Sequence, residues 1–132
     1  MDQSRVIEEY FSHKPGIAAV YLYGSAASGK EHTHSDLDIA LLCKKGEEPE
    51  FNEQLQIADD LTSALGKEID LLILNGASPI IRMQVLKKGT KMIERDRKET
   101  NRFFVQTINE YCDLKITRSV IEQNINKARI YG

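Results

Sequence analysis

Cysteine, charge of one sign and long apolar runs are all scarce in this chain. Only Cys43 and Cys112 are present, far apart, and neither has a metal-ligand neighbour at zinc spacing. Both read as reduced core or near-surface thiols of a cytoplasmic protein. Basic and acidic residues number 18 and 20, for a net charge of −2. That balance leaves no strong basic field for bulk nucleic-acid binding, so any nucleotide is handled locally. The longest apolar run is far short of a membrane span, and the opening MDQSRVIEEYF lacks a charged-then-apolar signal pattern. The expected location is the cytoplasm, without membrane association. Repeats, low-complexity tracts and linkers are missing as well.

What is present is an ordinary globular composition. The 132 residues are 41% apolar and 29% charged, which argues against disorder. The length suits one domain, residues 1–132, with room for a core but not for two domains. Val6, Ile7, Tyr10 and Phe11 fall at helical spacing within residues 3–13, and the helix is expected to stop before Lys14-Pro15-Gly16. Ile17–Tyr23, IAAVYLY, is short, apolar and rich in β-formers and ends at Gly24, so it reads as a buried strand. Leu37–Cys43 reads as a second strand, closed by the turn-like KKGEEPE.

Phe51–Leu65 brings Phe51, Leu55, Ala58, Leu61 and Leu65 onto one helical face, with Gly66 as its stop. Ile69–Leu74 is a third strand. Ser78 caps a helix over Pro79–Lys88, which Gly89 closes. Thr90–Glu94 fits a fourth, edge strand, because Lys91 and Glu94 suit exposure. From about Lys98 to Arg129, the residues Phe104, Ile108, Tyr111, Leu114, Ile121, Ile125 and Ala128 recur at steps of mostly three or four. They predict one long helix or two shorter ones, with an apolar stripe that reads as core rather than docking surface. The order of elements predicts an α/β (α+β) fold in which a small mixed sheet is flanked by helices.

The chemistry concentrates in residues 21–42, YLYGSAASGKEHTHSDLDIALL. Residues two apart in a strand share a face, so Asp36 and Asp38 project together. Two like charges side by side are unfavourable, and their placement points to a cation between them. Aspartate is disfavoured in strands, yet this pair opens one aliphatic strand and Asp70 heads another in EIDLLIL.

Gly-Ser after an apolar strand, a spacer from Ala26 to Ser35, the Asp36-Leu37-Asp38 pair opening a second strand and Asp70 on a third follow one another in a telling order. Together they resemble the signature of the polymerase β nucleotidyltransferase superfamily, whose short stand-alone members are the minimal nucleotidyltransferases, or MNT domains. The resemblance covers residues 17–94 as a core, with a C-terminal helical segment over 98–129. It implies a polymerase β-like fold and attack of a hydroxyl on the α-phosphorus of a nucleoside triphosphate, with pyrophosphate leaving. Two Mg²⁺ ions roughly 4 Å apart stabilise such a displacement at both ends. Oxygen ligands suit Mg²⁺, so Asp36 and Asp38 are expected to bridge both ions. Asp70 is expected to complete the site of the ion beside the nucleophile and to help take its proton.

Gly24 lets the backbone approach the triphosphate, and Ser25 with nearby N–H groups donates to its oxygens. Gly29 serves the same turn. Lys30 either supplies positive charge to the β- or γ-phosphate or is simply solvated. Many relatives carry arginine just before the second glycine; here Ser28 stands there, which leaves the triphosphate contact from that side open. His32 and His34 form a His-x-His pair without further nitrogen or sulfur ligands nearby, so a solvent-exposed loop is expected rather than zinc.

Among the small families, DLLILNGASPIIRMQVLKKGTKMIERD, followed by a helix containing YCDLKITR and ending in ARIYG, is most similar to the MntA-type antitoxins of HEPN/MNT toxin–antitoxin systems. That resemblance implies ATP as the donor. It also implies a HEPN-domain RNase toxin as hetero-oligomer partner, with a tyrosine hydroxyl of the toxin as acceptor. A phenol, with a pKa of ~10, is deprotonated beside Mg²⁺ far more readily than a serine alcohol. Two alternatives stand beside this reading: an antitoxin that blocks its toxin by binding alone, and an aminoglycoside-type small-molecule nucleotidyltransferase. The latter normally adds a second domain or an acidic pocket, and three intact carboxylates argue against a decayed site.

Overall fold

The computed structural model describes residues 3–23 and 37–131, with the side chains of the last helix described through residue 125. Its elements are α1 (Gln3–Phe11), β1 (Ile17–Tyr23), β2 (Leu37–Cys43), α2 (Phe51–Leu65), β3 (Ile69–Ile73), a 3₁₀ turn (Leu74–Gly76), α3 (Pro79–Lys88), β4 (Thr90–Glu94) and α4 (Arg97–Tyr131). The sheet has the order β3-β2-β1-β4. β2 and β3 run parallel, joined by the α2 crossover, while β1 is antiparallel to both β2 and β4. This is the small mixed sheet flanked by helices that the sequence predicts, with β4 at an edge.

Helices cover both faces of the central strands, which is why β1 and β2 read as nearly continuous apolar runs instead of alternating ones. One face sends Val20, Leu22, Leu37, Ile39 and Leu41 against Ile7 and Phe11 of α1 and Ile57 and Leu61 of α2. The other sends Ala19, Tyr21, Ala40 and Leu42 against Leu74, Val85 of α3 and Phe103 of α4.

Local chemistry ends the helices where expected. Gly66 takes the left-handed conformation (φ 69°) and its N–H bonds to the carbonyl of Thr62, a position where a side chain would be strained. Ser78 Oγ accepts from the N–H of Ile81 at 3.3 Å, with Pro79 in the first turn. At Gly89 the constraint is space: a Cβ there would lie 2.4 Å from the carbonyl oxygen of Val85 and 2.9 Å from that of Leu22. A bare backbone at this point lets α3 close tightly onto β1.

Two expectations need correction. On α2 the buried stripe runs through Ile57 and Leu61, with Ala58 and Leu65 partly buried, whereas Phe51 and Leu55 are exposed. The stripe turns around Ile57, and Leu55, two residues before it, falls roughly 160° around the helix from it at 3.6 residues per turn. On α4 the core contacts are Thr100, Phe103 and Thr107, while Phe104, Leu114, Ile121 and Ile125 are exposed. α4 is one helix of 35 residues, about 52 Å long at 1.5 Å per residue, and it outruns the sheet it packs on. The stripe expected to be core is therefore surface over its distal half. No helix among the described residues is long and apolar enough to cross a membrane.

Candidate active site

The site is built at the end of the sheet where β1 finishes and β2 and β3 begin. Asp38 is the second residue of β2 and Asp70 the second of β3, and the two are register partners across the parallel pair. Just before them the N–H of Leu37 donates to the carbonyl of Glu68 at 2.8 Å, which fixes that register. Asp38 alternates with Ala40 and Leu42, and Asp70 with Leu72, so both carboxylates stand on the sheet face that carries α3 and α4. Neighbouring strands lie about 4.8 Å apart, close enough for the pair to share one cation. Asp38 is half-buried and Asp70 exposed, so the site opens to solvent from the β3 side.

Tyr23, the last residue of β1, is the antiparallel partner of Asp38. Tyr23, Asp38 and Asp70 thus form a row across three strands. The phenol of Tyr23 is pushed up to about 12 by burial first and then by the negative charges of Asp38 and Asp70. Its hydroxyl therefore stays protonated and lies within the field of both carboxylates. Tyr23 carries no role in the sequence reading. Its signal was available, since it immediately precedes Gly24-Ser25 and its face follows from strand alternation once β1 and β2 are paired.

The opposite end of the same strands is closed. Asn75 accepts from the N–H of Cys43 and donates to its carbonyl, both at 2.9 Å. Arg82 donates to the carbonyls of Leu74 and Asn75 and to Glu110 at 2.9 Å, tying the end of β3 to α3 and α4. Burial, with Glu48 and Glu47 adding charge, pushes the Cys43 thiol up to about 12, so it is an inert packing residue.

Of the residues singled out in sequence, the structure brings Asp38 and Asp70 together. Asp36, Gly24, Ser25, Gly29 and Lys30 lie outside the described residues, as do Ser28, His32 and His34. Among the described residues no cluster of three or more His, Cys, Asp or Glu side chains is placed to hold a metal ion. The donor set at the site is nonetheless of the right kind: two carboxylates on adjacent strands, with no sulfur or nitrogen donor in the row, suit a hard, oxygen-seeking divalent cation such as Mg²⁺.

The sequence pattern of the polymerase beta nucleotidyltransferase domain matches residues 5–98. The protein adenylyltransferase MntA of Shewanella oneidensis is 29% identical over 95% of this chain and 88% of its own length. A crystal structure of a toxin–antitoxin with AMP-PNP superposes with a TM-score of 0.78 at 28% identity, covering 95% of this chain and 98% of that one. The tri-AMPylated Shewanella oneidensis HEPN toxin in complex with MNT antitoxin gives a TM-score of 0.71 at 26% identity over 93% of this chain and 94% of that one. With the match running over residues 5–98, well over half of its length, this chain belongs to the polymerase beta nucleotidyltransferase family.

Proposed function

We propose that this protein is an antitoxin adenylyltransferase, which transfers AMP from ATP to a tyrosine hydroxyl of a cognate HEPN-domain RNase toxin and so neutralises it. The observation that carries this reading is the likeness along nearly the whole chain to the MntA adenylyltransferase. The aligned pair Asp38 and Asp70 at an open strand end supports it. Likeness that extends past residue 98 into the last helix favours a protein acceptor over an aminoglycoside-type substrate.

In this reading Asp36, Asp38 and Asp70 hold two Mg²⁺ ions, which when bound stabilise charge on the entering and leaving oxygens. Asp70, exposed at the β3 side, faces the acceptor and takes the proton of its hydroxyl. Gly24 and Ser25, with Gly29, hold the triphosphate through backbone N–H groups and the Ser25 hydroxyl, and Lys30 meets its outer phosphates. Tyrosine is a suitable acceptor because its phenol ionises more easily than an alcohol. Each AMP adds bulk and negative charge to the toxin, which opposes RNA binding. The reaction belongs in the cytoplasm, where ATP is supplied.

The test is to incubate the purified HEPN partner with this protein and ATP labelled at the α-phosphate, then to assay both label and RNase activity. Label on a toxin tyrosine with parallel loss of RNase activity is the expected result. A toxin silenced without label would replace this reading with inhibition by binding alone.

A further inference from the structure

Asp38 sits between two neighbours of different kinds: Asp70 on the β3 side and the ring of Tyr23 on the β1 side. The ring is half-buried and packs with Leu72 and Leu86 against the cluster of Ala19, Tyr21, Ala40, Val85 and Phe103. Those contacts hold it as a wall rather than as a mobile surface side chain. Gly89 contributes to the same packing, because its missing side chain lets the end of α3 reach the carbonyl of Leu22, next to Tyr23.

A carboxylate on a strand has a small set of side-chain rotamers. Because Tyr23 is the cross-strand partner of Asp38 and is held against the sheet, Asp38 has less room to lean towards β1 than towards Asp70.

We propose that Tyr23 is a positioning residue whose ring confines the Asp38 carboxylate to the side of Asp70, so that the two meet a divalent cation as a preformed pair. The hydroxyl is not needed for this; the ring is. The proposal rests on the reading of Asp38 and Asp70 as cation ligands. It assigns work to a residue that supplies no ligand atom of its own, and it makes the aromatic ring before Gly24 part of the metal site.

The experiment uses Mn²⁺ alone as the probe, with binding to the full chain followed through the paramagnetic resonance of the free ion. Wild type is compared with Tyr23→Phe, Tyr23→Leu, Tyr23→Met and Asp38→Asn, each first melted to establish that it is folded at the assay temperature. Tyr23→Phe is expected to bind as wild type does. Tyr23→Leu and Tyr23→Met are expected to bind about tenfold more weakly, the usual scale for losing the support of a metal ligand. A merely structural role would lower the melting temperature of the Leu and Met variants without moving their Mn²⁺ affinity, and that outcome overturns the proposal. Equal losses in the Phe and Leu variants overturn it too, since they would make the hydroxyl the important contact. If wild type and Asp38→Asn bind Mn²⁺ alike, the cation reading of the carboxylates fails first and the role of Tyr23 falls with it.

Discussion

Asp38 on β2 and Asp70 on β3 stand opposite each other in parallel register, just past the hydrogen bond from Leu37 N–H to the carbonyl of Glu68. Because side chains alternate along a strand, a slip of one residue would send Asp70 to the other face and separate the pair. Register, rather than the mere presence of two acids, makes this a candidate site.

Asp70→Asn tests that relationship with little risk to the fold, because Asp70 is exposed. AMP transfer is expected to fall on the order of a hundredfold or more, since a catalytic metal is worth several kcal/mol of transition-state stabilisation. The melting temperature should stay where it is. Single-turnover transfer and a thermal melt check both halves, and transfer at the wild-type rate would remove Asp70 from the mechanism.

The contact between α1 and α2 should be sensitive to acid. The Tyr10 hydroxyl donates to Asp60 Oδ2 at 2.8 Å, and this bond, then the one from Gln56 and the charge of Lys14, holds the Asp60 carboxyl below its usual range. A lowered folded-state pKa means that the contribution is complete above the ordinary carboxylate value, about 4, and disappears as pH falls through the folded value. Tyr10→Phe should therefore melt lower than wild type near neutral pH, with the gap closing in acid. A gap that stays constant across a melting series from neutral to strongly acidic pH would contradict this origin.

Gly89→Ala should destabilise the protein by about 1–3 kcal/mol, the usual range for forcing a methyl group into packed backbone. The added Cβ meets two carbonyl oxygens, those of Val85 and Leu22, and neither belongs to a flexible side chain. Urea denaturation measures the loss. A variant as stable as wild type would mean that α3 and β1 separate there without penalty.

Thr107 points the other way. It is fully buried, and its Oγ1 has no hydrogen-bond partner among the described residues. Thr107→Val keeps the shape and removes a hydroxyl that burial leaves unsatisfied, so stability should rise by about 1 kcal/mol. A fall in the denaturation midpoint would show that the hydroxyl is satisfied in solution.

Much of this fold is legible in the sequence because its signals are local. Ser78-Pro79, Gly66 and Gly89 mark helix ends by cap and turn chemistry, and β1, β2 and β4 keep the bounds that their apolar and charged patterns indicate. That Asp38 and Asp70 head aliphatic strands is legible as well, but that they face each other in register is visible only in the structure. What failed depends on distance. Periodicity says that Leu114, Ile121 and Ile125 share a stripe on α4 but not where the sheet beneath it ends. Spacing on α2 admitted Phe51 and Leu55 because Ile57, around which the buried face turns, was left out of the stripe. Tyr23 has no role assigned from sequence for a related reason: the groups it meets, Asp38 and Asp70, stand on other strands, and no pattern within β1 reveals them.

The most direct test is the intact mass of the HEPN partner after incubation with this protein, ATP and Mg²⁺, beside a variant carrying Asp38→Asn and Asp70→Asn. The expected result is a gain in whole AMP steps with wild type and none with the variant. A stable complex without any gain in mass, or the same gain with both proteins, would contradict AMP transfer at the Asp38–Asp70 pair.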